Sequence, residues 1–171
     1  MTDQEILRRL LDRQEITDTL YRYASAIDVK DYDRLRTVFT DDVVAQYAGA
    51  PEIHGADELV SWIREMSPST KYQHHLLNVY EVEVDGDEAR TYTYHTSHQV
   101  DEATPDSVYV IVARYRDVLR RVGDQPAIAD KRMEVGWMER REYSQALAAS
   151  AEAEQNLAAQ SAANVTTDPK G

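Results

Sequence analysis

YQHHLLNVYEVEVDGDEARTYTYHTSHQV, residues 72–100, is the stretch that decides the fold. Two runs rich in strand-favouring residues meet at Asp85-Gly86-Asp87, which supplies the positive φ that a tight hairpin requires. Within each run side chains alternate with a period of two. Downstream, residues 102–107 read as a loop and Ser107 to Val122 as a third long strand. Gly123-Asp124-Gln125-Pro126 then turns the chain into a last strand, Ala127 to Arg140.

Upstream of residue 72 the apolar period is helical. Two capping boxes, Thr2 with Glu5 and Asp12 with Glu15, predict a short helix leading into a longer one that ends near Asp28. Leu10, Ile16, Leu20, Tyr23 and Ile27 fall on one stripe of it. Asp31 caps a brief helix carrying Leu35, Val38 and Phe39, and DVVAQYA (42–48) reads as a strand closed by Gly49 and Pro51. Asp57 is expected to cap a third helix, with Leu59, Val60, Trp62, Ile63 and Met66, stopped by Pro68. Three helices followed by a run of antiparallel strands predict an α+β fold, helices packed on one face of a curved sheet. Residues 1–141 form one domain, and 142–171 are an Ala-rich extension, partly helical or disordered.

The formal net charge of −12 argues against a nucleic-acid surface and against an anionic membrane, because both need clustered Lys and Arg. The absence of cysteine excludes a disulfide framework, a thiolate nucleophile and Cys-based metal sites. The N-terminus lacks a long apolar stretch and no segment is long enough to cross a bilayer, so a cytoplasmic protein is expected. Eleven Tyr stand against a single Phe. This implies either a semi-polar cavity or simply tyrosines flanking strands, where they are favoured.

Chemistry-bearing residues are few. Asp28 falls at the edge of the helical stripe that meets the sheet, where a carboxylate needs a partner; the alternative is an exposed helix-end Asp. In Gln73-His74-His75-Leu76-Leu77-Asn78, period two puts His74, Leu76 and Asn78 on one face and His75 and Leu77 on the other. The Asn on the His74 face favours His74 as the inward imidazole. A carboxylate beside it would fix its tautomer and suit it to general base work; otherwise it is a core histidine bonded to a carbonyl. His95 and His98 face opposite ways, so one of them at most reaches the same cavity. Arg114, Arg116 and Arg132 lie in the closing strands, as a solvent face or with one aimed at an anionic intermediate. No metal-binding spacing, phosphate loop or nucleophile elbow is present, and no cofactor is expected.

LLDRQEITDTLYRYASAIDVKDYDRLRTVFTDDVV (10–44), HHLLNVYEVEVDGDEA (74–89) and ARYRDVLRRVGDQPAIADKRMEVGWMER (113–140) resemble, in order, blocks of SnoaL-like proteins of the NTF2-like superfamily. The resemblance spans residues 4–141. It implies a cone-shaped NTF2-like fold around a pocket, shared with scytalone dehydratase, ketosteroid isomerase, polyketide cyclases and the β subunits of ring-hydroxylating dioxygenases. It further implies a cofactor-independent lyase or isomerase in which Asp28 orients His74 and His74 abstracts a proton. Tyr23 or Tyr21 would steady the developing charge. Tyr21, Tyr47, Asn78, His98 and Arg132 are the expected substrate contacts, and a small aromatic, polyketide-like or steroid-like molecule the expected substrate. A homo-oligomer, dimer or trimer, is also implied. The alternative function is a non-catalytic ligand-binding or assembly subunit.

Overall fold

The computed structural model describes residues 2–66 and 69–142. Pro68 and nearly all of the Ala-rich extension lie outside the described residues. The chain forms α1 (Asp3–Asp28), α2 (Tyr32–Arg36), β1 (Phe39–Tyr47), β2 (Ile53–His54), α3 (Ala56–Met66), β3 (Thr70–Asp85), β4 (Glu88–Asp101), β5 (Ser107–Val122) and β6 (Gln125–Glu142). The strands make one six-stranded, curved and unclosed sheet in the order β2-β1-β6-β5-β4-β3. Strands β3 to β6 form an antiparallel meander, as the turn residues predict.

The N-terminal region differs from expectation. The first 26 helical residues form one helix rather than two. Thr2 and Glu5 make the expected capping box, but Asp12 sits buried in mid-helix. Its carboxylate receives Arg8, one turn earlier, at 3.0 Å and Arg121 of β5 at 2.9 Å. These partners remove the need to end a helix there, since an Asp whose oxygens are taken no longer competes for backbone N–H groups. Leu10 is exposed, and the buried stripe runs through Ile16, Leu20, Tyr23 and Ile27. Strand β1 begins at Phe39, earlier than expected, and pairs parallel with β6. Helix α3 begins at Ala56, and Asp57 sits in its first turn, bonded to Arg36 at 2.6 Å.

The core lies between α1 and the inner sheet face. Leu20, Leu35, Val43, Leu59, Leu119 and Ile128 are its near-fully buried aliphatic members. Each such side chain contributes roughly 1.5–3 kcal/mol of burial free energy. No helix among the described residues is long and apolar enough to cross a membrane.

The ion pairs of Asp12 should matter more than those at the surface. Asp12→Ala removes the more buried of the two carboxylates that hold Arg121, leaving it Glu15 alone, and is expected to cost about 2 kcal/mol. Arg36→Ala, which frees the exposed Asp41 and Asp57, should cost less than ~1 kcal/mol. Urea unfolding of the two variants checks the order.

Candidate active site

The site is built where α1 ends against β3. After Asp28 the chain reverses through Lys30, which takes a positive φ of 56°, and the Asp31 N–H donates to the Ala26 carbonyl at 2.9 Å. Three bonds then tie this helix end to β3. The Gln73 side-chain amide donates to the Ile27 carbonyl at 2.6 Å, the His75 backbone N–H to Asp28 Oδ2 at 3.1 Å, and Lys30 Nζ to the Thr70 carbonyl at 2.7 Å. β3 is an edge strand, so its outer N–H groups have no neighbouring strand to pair with. The Asp28 carboxylate satisfies one of them and the imidazole of the same residue. His75 Nδ1 lies 2.6 Å from Asp28 Oδ1. The carboxylate can only accept, so Nδ1 carries the proton and Nε2 is left as the basic nitrogen.

The imidazole paired with Asp28 is therefore His75, and the expectation for His74 is corrected. Gln73, His75, Leu77 and Val79 face the helices, and Leu77 and Val79 pack on the core. His74 faces outward and stacks on His98 with ring centroids 4.7 Å apart. The inner face needs the apolar pair Leu77 and Val79 against α1, and this sets the parity of the whole segment. Asn78 and His98 share the outer face with His74, so neither meets the cavity as expected. Tyr21 is half-exposed in a shallow groove with Glu15, Asp18 and Arg34. Arg132 is held by Asp130 at 2.6 Å and Glu52 at 2.5 Å, away from the cavity. Tyr23 and Tyr47, by contrast, both line it.

The cavity has a volume of about 550 Å³, the size of a fused-ring ligand's site. Gln73, His75, His95 and Ser97 form its polar wall. Trp62, Ile63, Met66, Ile111, Met133 and Met138 form the apolar wall. Trp62 stacks on Tyr47 at 4.9 Å. At the tyrosine end, the Tyr23 and Tyr47 hydroxyls are 3.0 Å apart, and Tyr115 meets Tyr23 edge to face. Burial pushes all three hydroxyls well above the usual phenol range, which keeps them as neutral donors.

Sequence reasoning left His95 and His98 undecided and did not single out Tyr115, Asp117 or Lys131. His95 lies parallel to His75, centroids 5.0 Å apart, with Tyr115 on its other side at 4.9 Å. Neither of its ring nitrogens has a hydrogen-bond partner among the described residues. Burial, then the neighbouring His75 and Lys131, push it down to about 3. Behind the tyrosines, Lys131 Nζ lies 3.2 Å from both oxygens of Asp117, both residues fully enclosed. Burial raises the Asp117 carboxyl and lowers the Lys131 amine, each opposed by the other's charge. Only the period-two pattern, once anchored at His75, would have placed these residues inside. Among the described residues no cluster of three or more His, Asp or Glu could hold a metal ion.

Residues 8–132, most of the chain, match the model of the SnoaL-like domain. The chain belongs to the SnoaL-like family. An uncharacterised protein of Mycobacterium tuberculosis is 35% identical over 79 residues, 46% of this chain and 54% of that protein. The SnoaL-like chain thus spans about half the length of the curated relatives it matches. Among solved structures, the type 3 hexachlorocyclohexane dehydrochlorinase of Novosphingobium barchaimii superposes with a TM-score of 0.71 at 17% identity, covering 79% of this chain and 93% of that one. A scytalone dehydratase candidate of Novosphingobium aromaticivorans gives 0.70 at 15% identity, covering 80% and 90%. At such identities the likeness establishes the NTF2-like cone fold.

The neutral state of His95 makes an acid-stability prediction. The unfolded chain takes up this proton below about 6.5, whereas the native one takes it up only below about 3. Neutral His95 thus contributes stability in full above 6.5, and that stability is lost as pH falls through the window to about 3. Urea unfolding from pH ~7 to ~4 should lose on the order of a few kcal/mol, and His95→Phe should flatten that slope.

Proposed function

We propose that this SnoaL-like protein is a cofactor-independent lyase or isomerase in which His75, oriented by Asp28, removes a proton from carbon. The observation that carries this reading is the 2.6 Å Asp28–His75 contact at the wall of a cavity that the Tyr23–Tyr47 hydroxyl pair also lines. Asp28 holds the Nδ1 proton and leaves Nε2 free to accept one. A carbonyl oxygen or leaving group bound at Tyr23 would receive a hydrogen bond as negative charge develops on it, which preorganised donors in a low-dielectric cavity stabilise strongly. The proton on Nε2 then returns to a different atom in an isomerisation, or to the leaving group or solvent in an elimination. The mixture of aromatic, aliphatic and polar lining suits a small aromatic molecule carrying oxygen. The fold that the chain shares with dehydrochlorinase and dehydratase structures supports this reaction class.

A second reading, a ligand-binding or assembly subunit, draws on the outer sheet face. Tyr72, Leu76, Tyr80, Tyr94 and Trp137 are exposed there, and exposed apolar surface that is grouped on one face marks interaction sites. A homo-oligomer burying that face is compatible with either reading.

Exchange of the α-protons of 2-tetralone in heavy water, followed by NMR, separates the two. The native protein is expected to accelerate exchange. Asp28→Asn and His75→Ala should each lower the rate by roughly 10²–10⁴-fold with the fold intact, whereas His74→Ala, on the outer face, should leave it within about twofold. Native protein that binds small aryl ketones without exchanging their protons would favour the second reading.

A further inference from the structure

The proposed mechanism makes no use of the most deeply buried charges among the described residues. Lys131 and Asp117 are both almost completely enclosed, and Lys131 Nζ also contacts two aromatic faces, 3.6 Å from the Tyr115 ring centroid and 4.1 Å from that of Tyr23. Stability alone does not call for such a pair, since well-packed apolar residues of similar volume often serve as well or better. Its position is the informative feature. β6 carries Lys131 and β5 carries Asp117 opposite it, one inward step from Met133 and Tyr115, which line the cavity. The ammonium therefore lies behind the same two tyrosines whose other sides meet ligand space.

We propose that Lys131, acting through the rings of Tyr23 and Tyr115, is a positioning residue that makes the tyrosine end of the cavity a site for an anionic oxygen of the phenolate or enolate class. This deepens the proton-abstraction reading and rests on it for the role of Tyr23. A cation on the face of a phenol ring draws electron density from it, so the hydroxyl becomes a stronger hydrogen-bond donor. In a low-dielectric interior the same charge favours negative charge arriving beside that hydroxyl. Asp117 acts in the opposite sense on Tyr47 and Tyr115. The ammonium, by contrast, is in direct contact with both rings, including that of Tyr23, the residue whose hydroxyl meets Tyr47. Asp117 holds the ammonium charged and in place, since a lone buried amine would shed its proton.

The test pairs 4-nitrophenolate with 4-nitroanisole, a neutral analogue of nearly the same shape, measured by equilibrium dialysis at a pH where free 4-nitrophenol is ionised. The native protein should prefer the phenolate. In the neutral double variant Lys131→Met with Asp117→Asn, that preference should fall about tenfold, with 4-nitroanisole affinity kept. A role confined to stability would lower both affinities together or neither. Should the Met variant not fold, Lys131→Gln with Asp117→Asn keeps a polar pair in place, and the same ratio is read. A phenolate preference equal in native and variant proteins overturns the assignment of Lys131 and leaves the Asp28–His75 exchange assay untouched. Native protein that binds 4-nitroanisole but not the phenolate also overturns it, and native protein that binds neither overturns the anionic-oxygen site itself.

Discussion

The fastening of the α1 C-terminus to the edge of the sheet is the constraint on which the rest depends. An edge strand exposes unpaired backbone groups, and a helix end exposes unpaired carbonyls. Here each supplies what the other lacks: the Ile27 carbonyl takes the Gln73 amide, and the Asp28 carboxylate takes the His75 N–H. Because Asp28 Oδ2 is fixed by backbone, Oδ1 has little freedom, and the imidazole on the same residue is held at one angle. The pairing is thus a by-product of how helix and strand are joined, so it needs no separate framework. It also fixes how far α1 stands from the sheet, and so how wide the cavity opens beneath Tyr23.

The inner sheet face is unusual in what it carries. A half-buried antiparallel sheet ordinarily turns apolar residues inward, yet β4 turns Thr91, Thr93, His95 and Ser97 inward and leaves Tyr94 half-exposed. The apolar requirement is met elsewhere, by α1, α3 and β1. Polar groups on this wall and the ion pair behind the tyrosines make the interior a layered one. Packed aliphatic residues hold the helices, and a polar stratum facing the cavity carries the groups that can act on a ligand.

The parts of this arrangement legible in the sequence are those set by local chemistry. The Asp85-Gly86-Asp87 turn, the long strands on either side and the Thr2–Glu5 cap follow from backbone preferences and appear as expected. The ending of the long helix at Asp28 was legible for the same reason. What local pattern could not fix was the parity of β3. Leu76 and Leu77, His74 and His75 are adjacent pairs of like residues, so either face reads as apolar with an imidazole. Only contact with α1 distinguishes them, and using Asn78 to choose pointed to the wrong face. The same gap hid the parallel pairing of β1 with β6 and the two-residue β2, since neither has a turn signal of its own. Asp12 misled for a related reason: its partner Arg121 lies 109 positions away in sequence.

Once His75 is taken as the inward residue, antiparallel pairing leaves no freedom at β4. His74 stands opposite His98 on the outer face, and Leu77 opposite His95 on the inner one. Two imidazoles then share the cavity wall as a parallel stack, only one of them with a carboxylate. Two positive charges 5.0 Å apart in a buried place would repel strongly. His75 sits beside the Asp28 carboxylate, while His95, with no counter-charge at its ring, is kept neutral by burial between an imidazole and a phenol. The wall thus divides its two histidines by environment: one is paired with a carboxylate, and the other offers a flat neutral face and a hydrogen-bonding edge. Nothing in either residue's own identity dictates that division; it follows from which of them lies on the strand that meets the helix end.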